Sequence, residues 1–393
     1  MKTRLKTRRA AVAGLWITLS ILALLLAAFG PALAADTDQS EGFQFVGGPV
    51  ELAGAPGIYE WRFLDKVGET FYDKIALHRI AHGPREQEHR DVTVLYLPGT
   101  NMNGEISIDN PRYSLPVYLA VHGADVWTLD YRTHFVSPSD TPVAISYVFK
   151  RWTDDAFASD IAAAAAFILS QTQSQKLFVV GFSRGVEFAY LFAAMHPDEV
   201  RGIVALDGFM PRHPSEPVPE DRVVDDIGGK NLTYEKRHFL MQSVIDDPNG
   251  PAPIPKYRTA RENLLHVLYD AREFGGQGGL SNALNGYADP TIVARLLIGY
   301  DRYWPAVQDY ENPFTPQLLA ALKASKIPVI AFASTNIAPD WPAWVVQSAH
   351  STDSGDVTFK RLDGWGHLDV LCGTQAESQV FAPTMEWLTR RQK

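Results

Sequence analysis

Residues 176–197 read KLFVVGFSRGVEFAYLFAAMHP, and this stretch restricts the possible fold more than any other. A continuously apolar run, Leu177–Val180, enters Gly181-Phe182-Ser183-Arg184-Gly185, and an amphipathic helical pattern follows over 185–196. A strand that does not alternate apolar and polar residues needs helices over both sheet faces. A helix that starts directly at its end needs a tight turn, and glycines two residues either side of Ser183 let the two elements pass without Cβ clashes. The stretch therefore predicts a strand, a sharp bend and a packed helix. With 46% hydrophobic and 21% charged residues over 393 positions, the chain has the composition and length for a sizeable core, which excludes a disordered or collagen-like chain.

The same rhythm runs along most of the chain. Strand-like segments fall at 58–63, 73–81, 92–98, 125–131, 176–182, 201–207, 327–333 and 356–362. Helical patterns lie between them at 113–122, 154–171, 185–196 and 316–325, with a last one at 376–390. Such alternation predicts an α/β fold with a mostly parallel central sheet flanked by helices. It breaks between Phe209 and about Pro316, where helical patterns near 231–246, 261–274 and 290–309 are interrupted by GGK at 228–230 and GGQGG at 275–279. We read 209–315 as a helical cap inserted between two strands, 57–208 and 316–393 as the core, and the Gly- and Pro-containing 35–56 as a loose lead-in.

The first 34 residues read as an address. Lys2, Arg4, Lys6, Arg8 and Arg9 precede an uncharged run from Ala10 to Ala35, and Ala32 and Ala34 flank Leu33 as in a cleavage site. This predicts an exported protein, secreted or periplasmic. The length of the apolar run leaves an uncleaved membrane anchor through residues 10–29 as the rival. Without the leader, 31 basic side chains face 45 acidic ones. That balance repels a phosphate backbone, so nucleic acid is not an expected partner. Cys372 is the single cysteine, which excludes an intramolecular disulfide and a cysteine-based zinc site.

Chemistry concentrates on Ser183. A serine lifted above a sheet edge, at the N-terminus of a helix, suits a nucleophile once a base takes its proton. His367, in LDGWGHLDVL between the last strand and the closing helix, is the candidate base. The acid that would orient it has two candidates: Asp340, in the loop AFASTNIAPDW that also carries Asn336, and as the alternative Asp207, ending the strand VALD. Asp369, two residues past His367, reads as a loop anchor. Oxyanion donors are expected from the backbone N–H groups of Arg184 and of Thr100 or Asn101, in the loop after VTVLYLPG. His78, His82 and His89 do not form a metal motif on a strand pattern, and neither metal nor cofactor is expected.

These motifs resemble the α/β-hydrolase fold, and more narrowly the acid lipase group of gastric and lysosomal lipase-like serine esterases. The matching pieces are LYLPGT, YSLPVYLAVHGADVWTLDYR, FVVGFSRG and GHLDVL. The resemblance implies a cap between strands 6 and 7 and a serine hydrolase that cleaves small ester or lipid substrates through an acyl-enzyme. Pro98-Gly99 stands where that group commonly has His-Gly, and Arg184 where it has glutamine. A peptidase or acyltransferase on the same triad, or a non-catalytic binding module, are the alternatives. Dehalogenase chemistry lacks its carboxylate nucleophile here. The aromatic residues Phe239, Tyr269, Phe274, Tyr300, Tyr303 and Trp304 either line an acyl pocket or pack the cap's interior.

Overall fold

The computed structural model describes residues 42–84, 91–228, 233–269 and 288–392, with the side chains of 267–269 left aside. The leader at 1–34, His89, Phe274 and GGQGG lie outside the described residues. Nine strands form the main sheet: β1 (Gln44–Glu51), β2 (Ile58–Lys66), β3 (Lys74–His82), β4 (Thr93–Leu97), β5 (Asp125–Asp130), β6 (Leu177–Phe182), β7 (Val200–Leu206), β10 (Val329–Ser334) and β11 (Val357–Leu362). Their order is β1-β2-β3-β5-β4-β6-β7-β10-β11. The pairs from β5 through β11 are parallel, and β1, β2 and β3 add on antiparallel at one edge.

The parallel strands β4, β5, β6 and β10 are buried along their whole length, as continuously apolar runs require. One core cluster lies on the face covered by α1 (Leu115–Val121) and the chain's closing helical segment. A second lies under α2 (Pro142–Phe149), α3 (Asp154–Thr172) and α4 (Arg184–Met195) on the other face. Capping explains where α3 begins. Thr153 Oγ1 accepts the Ala156 N–H, and the Asp155 carboxylate sits in the positive first turn.

Residues 44–51, expected within a loose lead-in, are instead the edge strand β1. Its register on β2 shifts on both sides of Gly47, and most of its side chains face solvent, so no apolar pattern marks it. The cap follows β7 and ends before β10, which are the sixth and seventh main-sheet strands counted from β2. It holds α5 (Tyr234–Asp246), α6 (Ala260–Tyr269) and α7 (Pro290–Ile298), and also a short antiparallel pair that its helical reading did not include: β8 (Val224–Asp226) on β9 (Tyr303–Pro305). The helical pattern expected over 290–309 stops at Ile298. Gly299 ends the helix and Pro305 cannot continue one.

Arg132 fixes the turn after β5. Its guanidinium donates to both carboxylate oxygens of Asp160 on α3, at 2.6 and 2.7 Å, and to Asp73 before β3 at 2.7 Å. All three groups are buried. Arg132→Met should therefore strand two buried carboxylates and cost about 3–5 kcal/mol, read as a lower midpoint in urea unfolding.

Candidate active site

Ser183 stands between the end of β6 and the first turn of α4 with φ 54° and ψ −119°, a conformation in which L-residues are strained. Close approach creates the bend. A Cβ at Gly185 would lie 2.1 Å from the Leu97 carbonyl oxygen, and one at Gly181 would lie 2.3 Å from that of Gly185. Both positions must be glycine for α4 to start against β4 and β6. The Ser183 N–H donates to the Leu206 carbonyl at 3.0 Å, its side chain makes no capping hydrogen bond, and it is half-buried.

His367 follows β11. Its Nδ1 lies 2.9 Å from Asp207 Oδ2. An ionised carboxylate only accepts, so Nδ1 carries the proton and Nε2 holds the free lone pair. The ring is held between two aromatics: Phe182, next to the serine, at 4.7 Å between centroids, and Trp341, edge-on at 5.6 Å. Phe182 immediately precedes Ser183, so this ring contact ties the imidazole to the serine turn. The His367 loop is tied down by Asp369, whose Oδ2 accepts the Gly366 N–H at 2.7 Å, and by Ser334, whose hydroxyl donates to the Gly366 carbonyl.

The carboxylate against the imidazole is thus Asp207, the alternative candidate, and not Asp340, the first. Asp207 is fully buried at the end of β7, with φ 54°. Its Oδ1 accepts the Ser334 N–H at 2.7 Å and the Trp341 indole N–H at 3.0 Å. Asp340 is exposed in the turn before α9 (Trp341–Ala349, which follows α8, Pro316–Ala324). The physical reason is the path of the loop after β10. Thr335 and Asn336 donate backbone N–H groups to Leu362 and Trp365, and the loop turns outward before it reaches Asp340. What it delivers to the site is the Trp341 indole.

On the other side of Ser183, the loop after β4 turns at Gly99, whose carbonyl accepts the Met102 N–H at 3.0 Å. Thr100 is half-buried and Asn101 has φ 61°. Asn101 and the cap residue Asp301 exchange two hydrogen bonds: Asp301 N–H to the Asn101 carbonyl at 2.7 Å, and Asn101 Nδ2 to the Asp301 carbonyl at 3.0 Å. Arg184 sends its side chain away from the serine. It donates to Glu187 at 2.8 Å, to the Gln308 carbonyl at 3.1 Å and to Asp309, so the residue after Ser183 is fastened to the cap. His78 is held in the core by Glu60 and Asp130, at 2.6 and 2.8 Å.

Strand order, the serine turn and the cap position together decide the architecture. This is the α/β-hydrolase fold. Residues 92–238 match the family model of that fold. A probable lipase of Schizosaccharomyces pombe is 31% identical over 132 residues, which are 32% of this chain. The match spans 29% of that lipase's length. A crystal structure of a candidate lipase from Sulfolobus solfataricus is similar over 89% of this chain and 99% of its own, with TM-score 0.72 and 24% identity.

Within the α/β-hydrolase fold, a cavity of about 70 Å³ lies beside the loop after β4. Tyr96, Met102, Ile106, Leu296, Tyr300 and Leu371 form much of its wall. Of the aromatics singled out in the sequence, Tyr300 lines this cavity, Tyr303 and Trp304 are buried in packing, and Phe239 is exposed. Gly185→Ala should force α4 off β4. The expected loss is about 1–3 kcal/mol, seen as a lower thermal midpoint, because the obstacle is backbone and cannot rotate away.

Proposed function

We propose that this chain is a serine hydrolase of carboxylic esters, working through Ser183, His367 and Asp207 with an acyl-enzyme intermediate. The observation that carries the reading is the buried Asp207 against His367 Nδ1, set beside a serine in a strained turn. In the proposed reaction His367 Nε2 takes the Ser183 hydroxyl proton as Oγ bonds to the ester carbonyl carbon. The carbonyl oxygen gains the electron pair, and the Arg184 and Thr100 N–H groups stabilise it, as the positive end of α4 also would. The imidazolium then gives its proton to the leaving alkoxide. Water, deprotonated by the same imidazole, releases the acid and restores the serine.

The likeness in sequence to a probable lipase supports an ester or lipid substrate, and the motifs LYLPGT and GHLDVL support the acid lipase group. The apolar cavity beside the loop after β4 is the proposed acyl site. The basic residues 2–9 and the uncharged run after them support export, with the body released or held by that run.

A fluorophosphonate probe should label Ser183 and no other position. Ser183→Ala should abolish labelling and p-nitrophenyl ester turnover in a folded protein, and Asp207→Asn should lower kcat about 10³–10⁴-fold. Asp340→Asn should leave kcat unchanged, and a large loss there would reverse the assignment of the acid. Amide cleavage outrunning ester cleavage would favour a peptidase, and an unlabelled Ser183 a non-catalytic module. Leu296→Trp, which fills the cavity, should raise KM for butyrate and longer esters while sparing acetate. Equal effects on all chain lengths would remove the cavity from the acyl path.

A further inference from the structure

The loop that offers Thr100 and Asn101 is gripped from both sides by buried charge. From the sheet side, Gly104 donates its N–H to Asp130 Oδ1 at 2.6 Å, and Asp130 Oδ2 faces His78, which in turn meets Glu60. From the cap side, Asp301 is the hub. Besides its two backbone bonds to Asn101, its carboxylate accepts from Asn103 Nδ2 at 3.0 Å and from Thr133 at 3.3 Å, and it meets His134 Nδ1 at 3.0 Å. Asn103 Nδ2 also donates to the Gly299 carbonyl at 2.8 Å. The six-residue loop 99–104 thus carries hydrogen bonds to β5 and to the cap, with Asp301 seated between the loop and the turn after β5.

We propose that Asp301 and His134 are positioning residues that hold the 99–104 loop, and so the oxyanion N–H of Thr100, in its working place. This rests on the serine-hydrolase reading. Neither residue touches the reacting atoms. Their part is to fix a donor whose displacement by about 1 Å can cost up to about 100-fold in rate.

The charge state fits the geometry. Burial alone would lower the His134 pKa, but Asp301, Asp130 and Glu105 outweigh it and raise it to about 9. These three carboxylates come from the cap, β5 and the loop, and Arg132 on the same turn points instead to Asp73 and Asp160. His134 is therefore cationic at neutral pH and loses its hold on Asp301 as pH rises through about 9.

The test compares the full chain with Asp301→Asn, which keeps the backbone pair with Asn101 and removes the charge, and with Asn103→Ser, which leaves both buried charges paired. With p-nitrophenyl butyrate, Asp301→Asn should lower kcat about tenfold with KM within about twofold. Its alkaline limb should move down by about one pH unit, because His134 has lost its nearest counter-charge. Asn103→Ser should lower kcat in the same direction without moving that limb. Amide hydrogen exchange over 99–104 should quicken in both. Unchanged kcat, pH limb and exchange in Asp301→Asn would overturn the proposal, as would a KM rise at constant kcat. Failure of the hydrolase reading itself would look different: turnover of the unaltered protein would survive Ser183→Ala, whatever the exchange data said of the loop.

Discussion

For Ser183 to stand where it does, the start of α4 must come within van der Waals contact of the last carbonyls of β4. That approach depends on the missing Cβ at Gly185, and most of the site is built around it. Because α4 begins there, its first turn lies against the Leu97 and Pro98 carbonyls at the start of the loop after β4. Because β7 pairs alongside β6, the Ser183 N–H can donate to Leu206, one residue before Asp207. The positive φ values at Ser183 and Asp207 fall at the ends of adjacent parallel strands. Strain of order 1–3 kcal/mol at each is held in place by the surrounding packing rather than by the turns themselves.

Arg184 extends this dependence to the cap. Its guanidinium reaches Glu187 one helical turn on and the 306–309 turn of the cap, in a pocket that also holds Asp154. The surroundings are crowded with acids. Asp154 leaves both carboxylate oxygens without partners, and burial, with Glu187 adding to it, pushes its pKa up to about 8 against the pull of Arg184. Glu187 is likewise raised, chiefly by burial. A short uncharged side chain at position 184 would leave these acids without their cation. The Arg that departs from the lipase pattern is therefore bound up with the acids around it and with the seating of the cap.

Elements governed by local pattern were legible in the sequence. The strands from 58 to 206, the helical pattern over 154–171 and the serine turn each announce themselves in a contiguous stretch. What was not legible depends on contacts between distant segments. β1 has no apolar period because it lies at an edge with bulges and little to bury. The choice between Asp207 and Asp340 turns on whether the loop after β10 folds outward, which is decided by backbone bonds to Leu362 and Trp365. No sequence motif singles out Trp341, and its indole meets the acid only because that loop turns as it does. The chain Glu60, His78, Asp130, His134 and Asp301 draws on four segments far apart in sequence, and its pairings leave no local pattern.

Two carboxyl groups flank His367, and their hydrogen-bond partners separate their roles. Asp207 receives the Ser334 amide, the Trp341 indole and the imidazole. Asp369 receives the Gly366 amide on one oxygen and nothing on the other. Burial, opposed by the Gly366 N–H and helped by the nearby Asp207, raises the Asp369 pKa to about 8. At neutral pH Asp369 is thus largely protonated and ties the loop without placing a second negative charge beside the imidazole. As pH rises through about 8 that charge appears. Folding favours the protonated form, so the stability it contributes is full below the ordinary carboxyl pKa and is lost as pH climbs from there to about 8. The same carboxyl that shapes the His367 loop therefore makes the site less stable from mildly acidic pH up to about 8, below the range in which His134 loses its charge.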